Sequence, residues 1–307
     1  MKFGSWLDTW MDNYVVPSTK IKTAICYESI VKNHIKPRLG DYELSDVTAL
    51  TIQKVATDLL KNGNKRTRSG LSANTVNLVI TIIQNALTTA ENVGEVNLRE
   101  GKIKRPKIKE KSIACFSLYE QKKIEQAVIN HKNPKMFGIL LSLYTGLRIG
   151  ELLALEWSDV NLKTSEIYVS KSCSDVKING KFTRVTNSPK TCSSERIIPI
   201  PKQLIPLMIL IKKTNRSKYV VGYGDRLISV RSYQRSFEIM QKKLHIEPRG
   251  FHSLRHTFAT RALESGMDVK ALAEILGHKN PTITLNRYAH SFMLHKKAMM
   301  NKLGKLL

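Results

Sequence analysis

Phe3, Trp6, Leu7, Trp10, Met11 and Tyr14 recur at spacings of three and four, the period of one helix face. The stripe predicts a first helix that packs this face into a core, with Pro17 and Ser18 breaking it. A second helix is expected over about 19–34, ended by Pro37 and Gly40. A third is expected over about 49–60, with Ile52, Val55, Ala56 and Leu59 inward and Gly63 as its stop. The fourth starts at a Ser72 cap, buries Val76, Val79, Ile80, Ile83, Leu87 and Ala90, and ends at Gly94. Residues 1–100 therefore read as a compact four-helix unit without a catalytic cluster. In its polar loop 61–70, Lys61, Lys65, Arg66 and Arg68 are candidates for phosphate contacts, which give affinity without sequence reading. A merely solvated loop fits the same residues equally well.

The helical period then lapses. Residues 101–112, GKIKRPKIKEKS, are polar or basic around Pro106 and read as a linker. A second unit, 113–307, opens with a capping box at Ser117 and Glu120. Helices are expected at about 118–131 and 135–145, with another after the tight turn at Gly146 and ending at 157–160. Alternation at 167–169, 181–185 and 196–200 predicts strands, with Lys190 in the turn between the last two. Helices return at about 202–213 and 230–244, then as short segments across 251–291. The end of the chain, with Phe292, Met293, Leu294, Ala298, Met299, Leu303 and Leu306, reads as a basic amphipathic helix. The expected fold class is mainly α with a small antiparallel β-sheet (α+β).

Charge narrows the partner. Fifty Lys and Arg against 25 Asp and Glu give a formal charge of +25, spread along the chain. Such a field favours a polyanion, nucleic acid first, with a ribosomal or membrane surface as the alternative. There is no long apolar run to span a membrane and no apolar core of a signal peptide. Cys26, Cys115, Cys173 and Cys192 show no CxxC pairing and read as thiols of a reducing cytoplasm.

The stretch 251–291 concentrates candidate chemistry. His252 and Arg255 lie three apart and share a helix face; His278 and Tyr288 follow on later segments. A cation, imidazoles and a phenol suit an anionic substrate and a hydroxyl nucleophile. His256 reads as a bracing partner of the helix; a His252/His256 zinc pair lacks a third ligand nearby.

The words TGLRIGELLALEW (145–157), SPKTCSSERIIPI (188–200), HSLRHTFAT (252–260), LGH (276–278) and NRYAH (286–290) carry a resemblance. In their order and content they resemble the catalytic domain of the tyrosine recombinases, the family of phage integrases and dimer resolvases. The upstream helices look like the family's helical core-binding (SAM-like) domain.

The resemblance implies Tyr288 as nucleophile, Arg148 and Arg255 as clamps on the scissile phosphate, and Lys190 as the general acid. It implies His252 in proton transfer, His278 at a position that is His or Trp in the family, and Glu151 as a supporting acid. None of the six core positions is substituted. It further implies a site-specific recombinase acting through a 3′-phosphotyrosine and a Holliday junction, without cofactor or metal. The implied partners are double-stranded DNA with inverted core half-sites and three further copies, in a homo-tetramer joined by exchange of the segment from about 291. Accessory excision or DNA-bending factors belong to the same expectation, as does a bacterial cytoplasmic location. Integration or excision of a mobile element, resolution of chromosome or plasmid dimers, and a non-catalytic regulator are the three roles open to this fold. Many integrases carry an arm-binding domain ahead of the core-binding helices; this chain starts almost at those helices.

Overall fold

The structure, a computed structural model, describes residues 1–64, 67, 69–97, 101–108, 115–131, 133–178, 181–187, 195–222, 224, 226–278, 280–282, 300–301 and 303–304. The chain divides into two compact units, Met1–Lys111 and Ser112–Leu307.

In the first unit, α1 (Phe3–Trp10) runs through a π turn, Met11–Val15, into α2 (Val16–Ser18). Likewise α3 (Ile21–Ile30) runs through a π turn, Val31–Ile35, into α4 (Lys36–Leu39). Pro17 and Pro37, expected to break or end helices, instead sit just beyond these wide turns. A proline inside a helix lacks a donor and crowds the carbonyl four residues back. Here the preceding turn opens, so that the Val16 N–H reaches the Met11 carbonyl and the Lys36 N–H reaches the Val31 carbonyl, five residues back. The extra residue also turns the buried face. Tyr14, expected inward, is 40% exposed, and Val15 takes its place at 3%.

Helices α5 (Ala49–Asn62) and α6 (Ala73–Asn92) complete the unit. Thr48 caps α5, and the Ser72 hydroxyl accepts the Thr75 N–H at the start of α6 (3.2 Å). The α6 stripe packs against the aromatic stripe of α1. The polar edges of those rings are bonded as well: Trp6 Nε1 donates to the Ala86 carbonyl (2.8 Å) and Trp10 Nε1 to Thr89 Oγ1 (3.1 Å). Much of the stretch read as a linker is fastened to this unit. Gln53 bonds the Lys104 main chain as both donor and acceptor, Asn77 donates to the Pro106 carbonyl, and Arg105 donates to Thr81 and Gln84.

The second unit opens with α7 (Leu118–His131), whose capping box forms: Ser117 N–H to Glu120 (2.7 Å) and Glu120 N–H to the Ser117 hydroxyl (3.2 Å). Helix α8 (Pro134–Thr145) is buried almost all round, and the short α9 (Ile149–Ala154) follows it. Strands β1 (Val160–Asn161), β2 (Glu166–Val169) and β5 (Arg196–Pro199) form an antiparallel sheet in the order β1-β2-β5, with Ile167 opposite Ile198. Strands β3 (Ser172–Ile178) and β4 (Lys181–Asn187) form a separate hairpin. The expected pairing of β4 with β5 around Lys190 is therefore corrected: those strands belong to different sheets, because β3, unread in the sequence, takes β4 as its partner. Helices α10 (Ile205–Thr214), α11 (Val230–Lys243), α12 (His252–Glu264) and α13 (Val269–Leu276) complete the unit, with α12 packed on α8. The amphipathic helix expected from Phe292 falls almost wholly outside the described residues. Among the described residues no helix is long and apolar enough to cross a membrane.

Candidate active site

The site grows from two helix ends that glycine makes possible. Helix α8 stops at Gly146, whose left-handed φ of 67° turns the chain towards Arg148 at the N-cap of α9. Helix α13 stops at Gly277 (φ 63°), which delivers His278. A side chain at either glycine would meet neighbours: a Cβ would lie 2.6 Å from the Phe258 ring at 146 and 3.1 Å from the Arg196 guanidinium at 277.

The last carbonyls of a helix have no partner within the helix and carry its negative dipole end. At the end of α13 three successive carbonyls each accept from a different arginine. Arg196 Nε donates to Ile275 (2.6 Å), Arg255 Nη2 to Leu276 (2.6 Å) and Arg148 Nη2 to Gly277 (3.2 Å). Arg255 Nη1 also donates to the Gly146 carbonyl (2.8 Å), so this one guanidinium ties both glycine-ended helices together. His278 Nε2 lies 3.0 Å from Arg255 Nη2.

Glu151 supplies the countercharge. One carboxylate oxygen accepts the Arg148 N–H (2.9 Å), and the other accepts Arg148 Nη1 (2.7 Å). Arg196 grips the same carboxylate through both terminal nitrogens, at 3.2 and 2.8 Å. Burial pushes the Glu151 carboxyl up, but the hydrogen bond and charge of Arg196, and then the charge of Arg148, outweigh it and hold the pKa at about 2. The two arginines on this carboxylate differ in access: the Arg148 side chain is 37% exposed and that of Arg196 only 6%.

Of the residues expected to carry the site, the structure joins Arg148, Glu151, Arg255 and His278 in one network. His252 begins α12, exposed and one turn before Arg255; its ring meets that of the half-buried His256 edge-on, with centroids 4.5 Å apart. Lys190 and Tyr288 lie outside the described residues. In the first unit Lys61 is exposed near the end of α5, and Lys65, Arg66 and Arg68 lie outside the described residues. Among the described residues no group of three His, Cys, Asp or Glu side chains is placed to hold a metal.

Sequence reasoning passed over Arg196, although a signal was available. Along β5 burial alternates, so Arg196 shares the inward face with Ile198, and a charge on that face requires a partner.

The described arrangement can meet a dianionic or trigonal-bipyramidal phosphate with fixed cationic donors. The Phage integrase family matches residues 117–295, and the family's N-terminal SAM-like domain matches residues 2–60. A tyrosine recombinase XerC-like protein of Caldanaerobacter subterraneus subsp. tengcongensis is 29% identical, over 99% of this chain and 83% of its own length. The ICEBs1 integrase of Bacillus subtilis is 28% identical, over 94% of this chain and 80% of its own. The Tn1549 transposon integrase, solved in complex with transposon right end DNA, superposes with a TM-score of 0.79 over 99% of this chain and 100% of that one. At 22% identity that last likeness is one of fold.

Proposed function

The chain belongs to the phage integrase family, the tyrosine recombinases, and from that premise we propose that it cuts and rejoins DNA to integrate and excise a mobile element. The observation that carries the reading is the convergence of Arg148 and Arg255 on one helix end, beside His278.

Tyr288 is the proposed nucleophile. Its oxygen attacks the scissile phosphorus, the bond to the 5′ oxygen breaks, and a 3′-phosphotyrosine forms. A free tyrosine has a pKa of about 10, so the phenol must lose its proton as it attacks. An unperturbed imidazole exchanges its proton near neutral pH, the chemistry that relay needs from His252. The 5′ oxygen leaves as a hydroxyl once Lys190 gives it a proton. In the transition state the non-bridging oxygens gain charge, and the planar forks of Arg148 and Arg255 answer it with paired donors. Attack by the 5′-hydroxyl of another strand reverses the chemistry on a new partner, and two such exchanges pass through a Holliday junction. The phosphotyrosine keeps the bond energy, so each step is an isoenergetic exchange.

The proposed substrate is duplex DNA carrying inverted core half-sites, bound by four copies whose segments beyond residue 291 pass between neighbours. The net charge of +25 supports a DNA partner. The mobile-element role draws on the likeness to the ICEBs1 integrase and on the shared fold of the Tn1549 integrase. Resolution of chromosome or plasmid dimers is the second reading, favoured by the XerC-like relative matched along nearly the whole chain.

The test is a nicked suicide substrate containing the core site, on which the wild-type chain should become covalently attached. Tyr288→Phe should bind the same DNA and form no adduct; adduct at the wild-type level would remove Tyr288 from the role.

A further inference from the structure

Arg148 is held from two sides. Its Nη2 bonds the Gly277 carbonyl, and its main-chain N–H and Nη1 bond Glu151. Both supports are in turn set by one buried side chain. Arg196 forks onto the Glu151 carboxylate, and its Nε holds the Ile275 carbonyl two residues before Gly277. Its guanidinium also lies against Gly277, where an added Cβ would come within 3.1 Å of it. A carboxylate gripped by only one arginine could rotate about its last bonds; gripped by a second planar fork, it is fixed in plane and in direction.

We infer that Arg196 is a positioning residue for the recombination chemistry, aiming Arg148 at the scissile phosphate through Glu151 and the end of α13. The inference rests on the recombinase reading. All three guanidinium nitrogens of Arg196 are turned inward, Nε onto the Ile275 carbonyl and both terminal nitrogens onto Glu151, so its fork faces the carboxylate and not a phosphate. Arg148, at 37%, is the member of the pair that DNA can reach. Lysine cannot replace Arg196 fully, because a single ammonium cannot span two carboxylate oxygens and a carbonyl in one plane.

The experiment measures the rate of covalent adduct formation on the suicide substrate, together with half-site affinity, for wild type, R196M, R196K, R148K and R148K/R196M. R196M should slow adduct formation by about 100-fold, the effect of misplacing a catalytic group by about an ångström. R196K should recover part of that, remaining about 10-fold slow, and half-site affinity should stay within about threefold throughout. On the R148K background, R196M should cost less than about threefold more, because the residue it aims has already lost its fork. Should R196M fail to fold, R196K decides: slowed adduct formation at normal affinity supports the role, and a wild-type rate overturns it. Equal loss of affinity and rate, or a full loss added to that of R148K, overturns it in favour of a general packing role. A wild-type chain that forms no adduct overturns the recombination chemistry and the inference with it. A wild-type chain that does, beside an equally fast R196M, overturns this inference alone.

Discussion

The two units solve the problem of burial differently. In Met1–Lys111 the core is apolar, and its polar fittings are the edges of Trp6 and Trp10 on α6. In Ser112–Leu307 lies every buried polar or charged side chain of the described residues other than aromatic ones, Glu151, Arg196 and Arg255 among them. Buried charge is costly to desolvate, and an apolar trio of the same volume would stabilise the fold as well or better. The second unit carries this cost at the proposed site, where the recombinase reading asks for arginines already in place when DNA binds. The first needs only shape, and hydrophobic burial supplies it.

The largest expected break in this contrast is Glu151→Gln. It leaves Arg196 buried without a countercharge and should lower the stability of the second unit by about 3–5 kcal/mol, read from the shift of its urea transition. A comparable change by protonation should follow pH. The Glu151 carboxyl sits at about 2 against an ordinary 4.5, so the folded state binds its proton less well than the unfolded one. The stabilisation is thus complete above about pH 5 and is lost as pH falls towards 2; it amounts to about 3 kcal/mol, and this share of the acid sensitivity should be missing in Glu151→Gln, while the share of Glu120 and Glu156, held low by Arg249 and by Lys171 and Lys218, stays. The smallest effect belongs to the first unit. Ser72→Ala removes the cap of α6 and should cost about 1 kcal/mol, independent of pH, by the same urea titration. A strongly acid-dependent first unit would erase the distinction between the two.

What could be read from the sequence follows the same division. Helices and their caps are local, so Ser72, the Ser117–Glu120 box and the Gly146 turn stood out from spacing alone. The π turns did not, because Pro17 and Pro37 read as stops unless the preceding turn is known to widen. Strand partners are a long-range choice: β4 was visible, but its pairing with β3 in preference to β5 was not. Arg148 and Arg255 are 107 positions apart, and only the order of the motif words joined them in advance. Arg196 stood inside one of those words, yet its task is visible only when Glu151 and the end of α13 are seen beside it.

The three carbonyls that receive the arginines have a bearing on how such a site can change over generations. They belong to the main chain, and every residue carries one, so replacing the side chains at 275 and 276 leaves the acceptors in place. At position 276 the side chain packs with Leu263 and Leu272 in the core, while the carbonyl alone meets Arg255. Gly277 is the exception, since its left-handed backbone angle strains any larger residue and a Cβ there would press on Arg196. A recognition word as short as LGH can therefore mark a site whose other acceptors are silent in the alphabet of side chains.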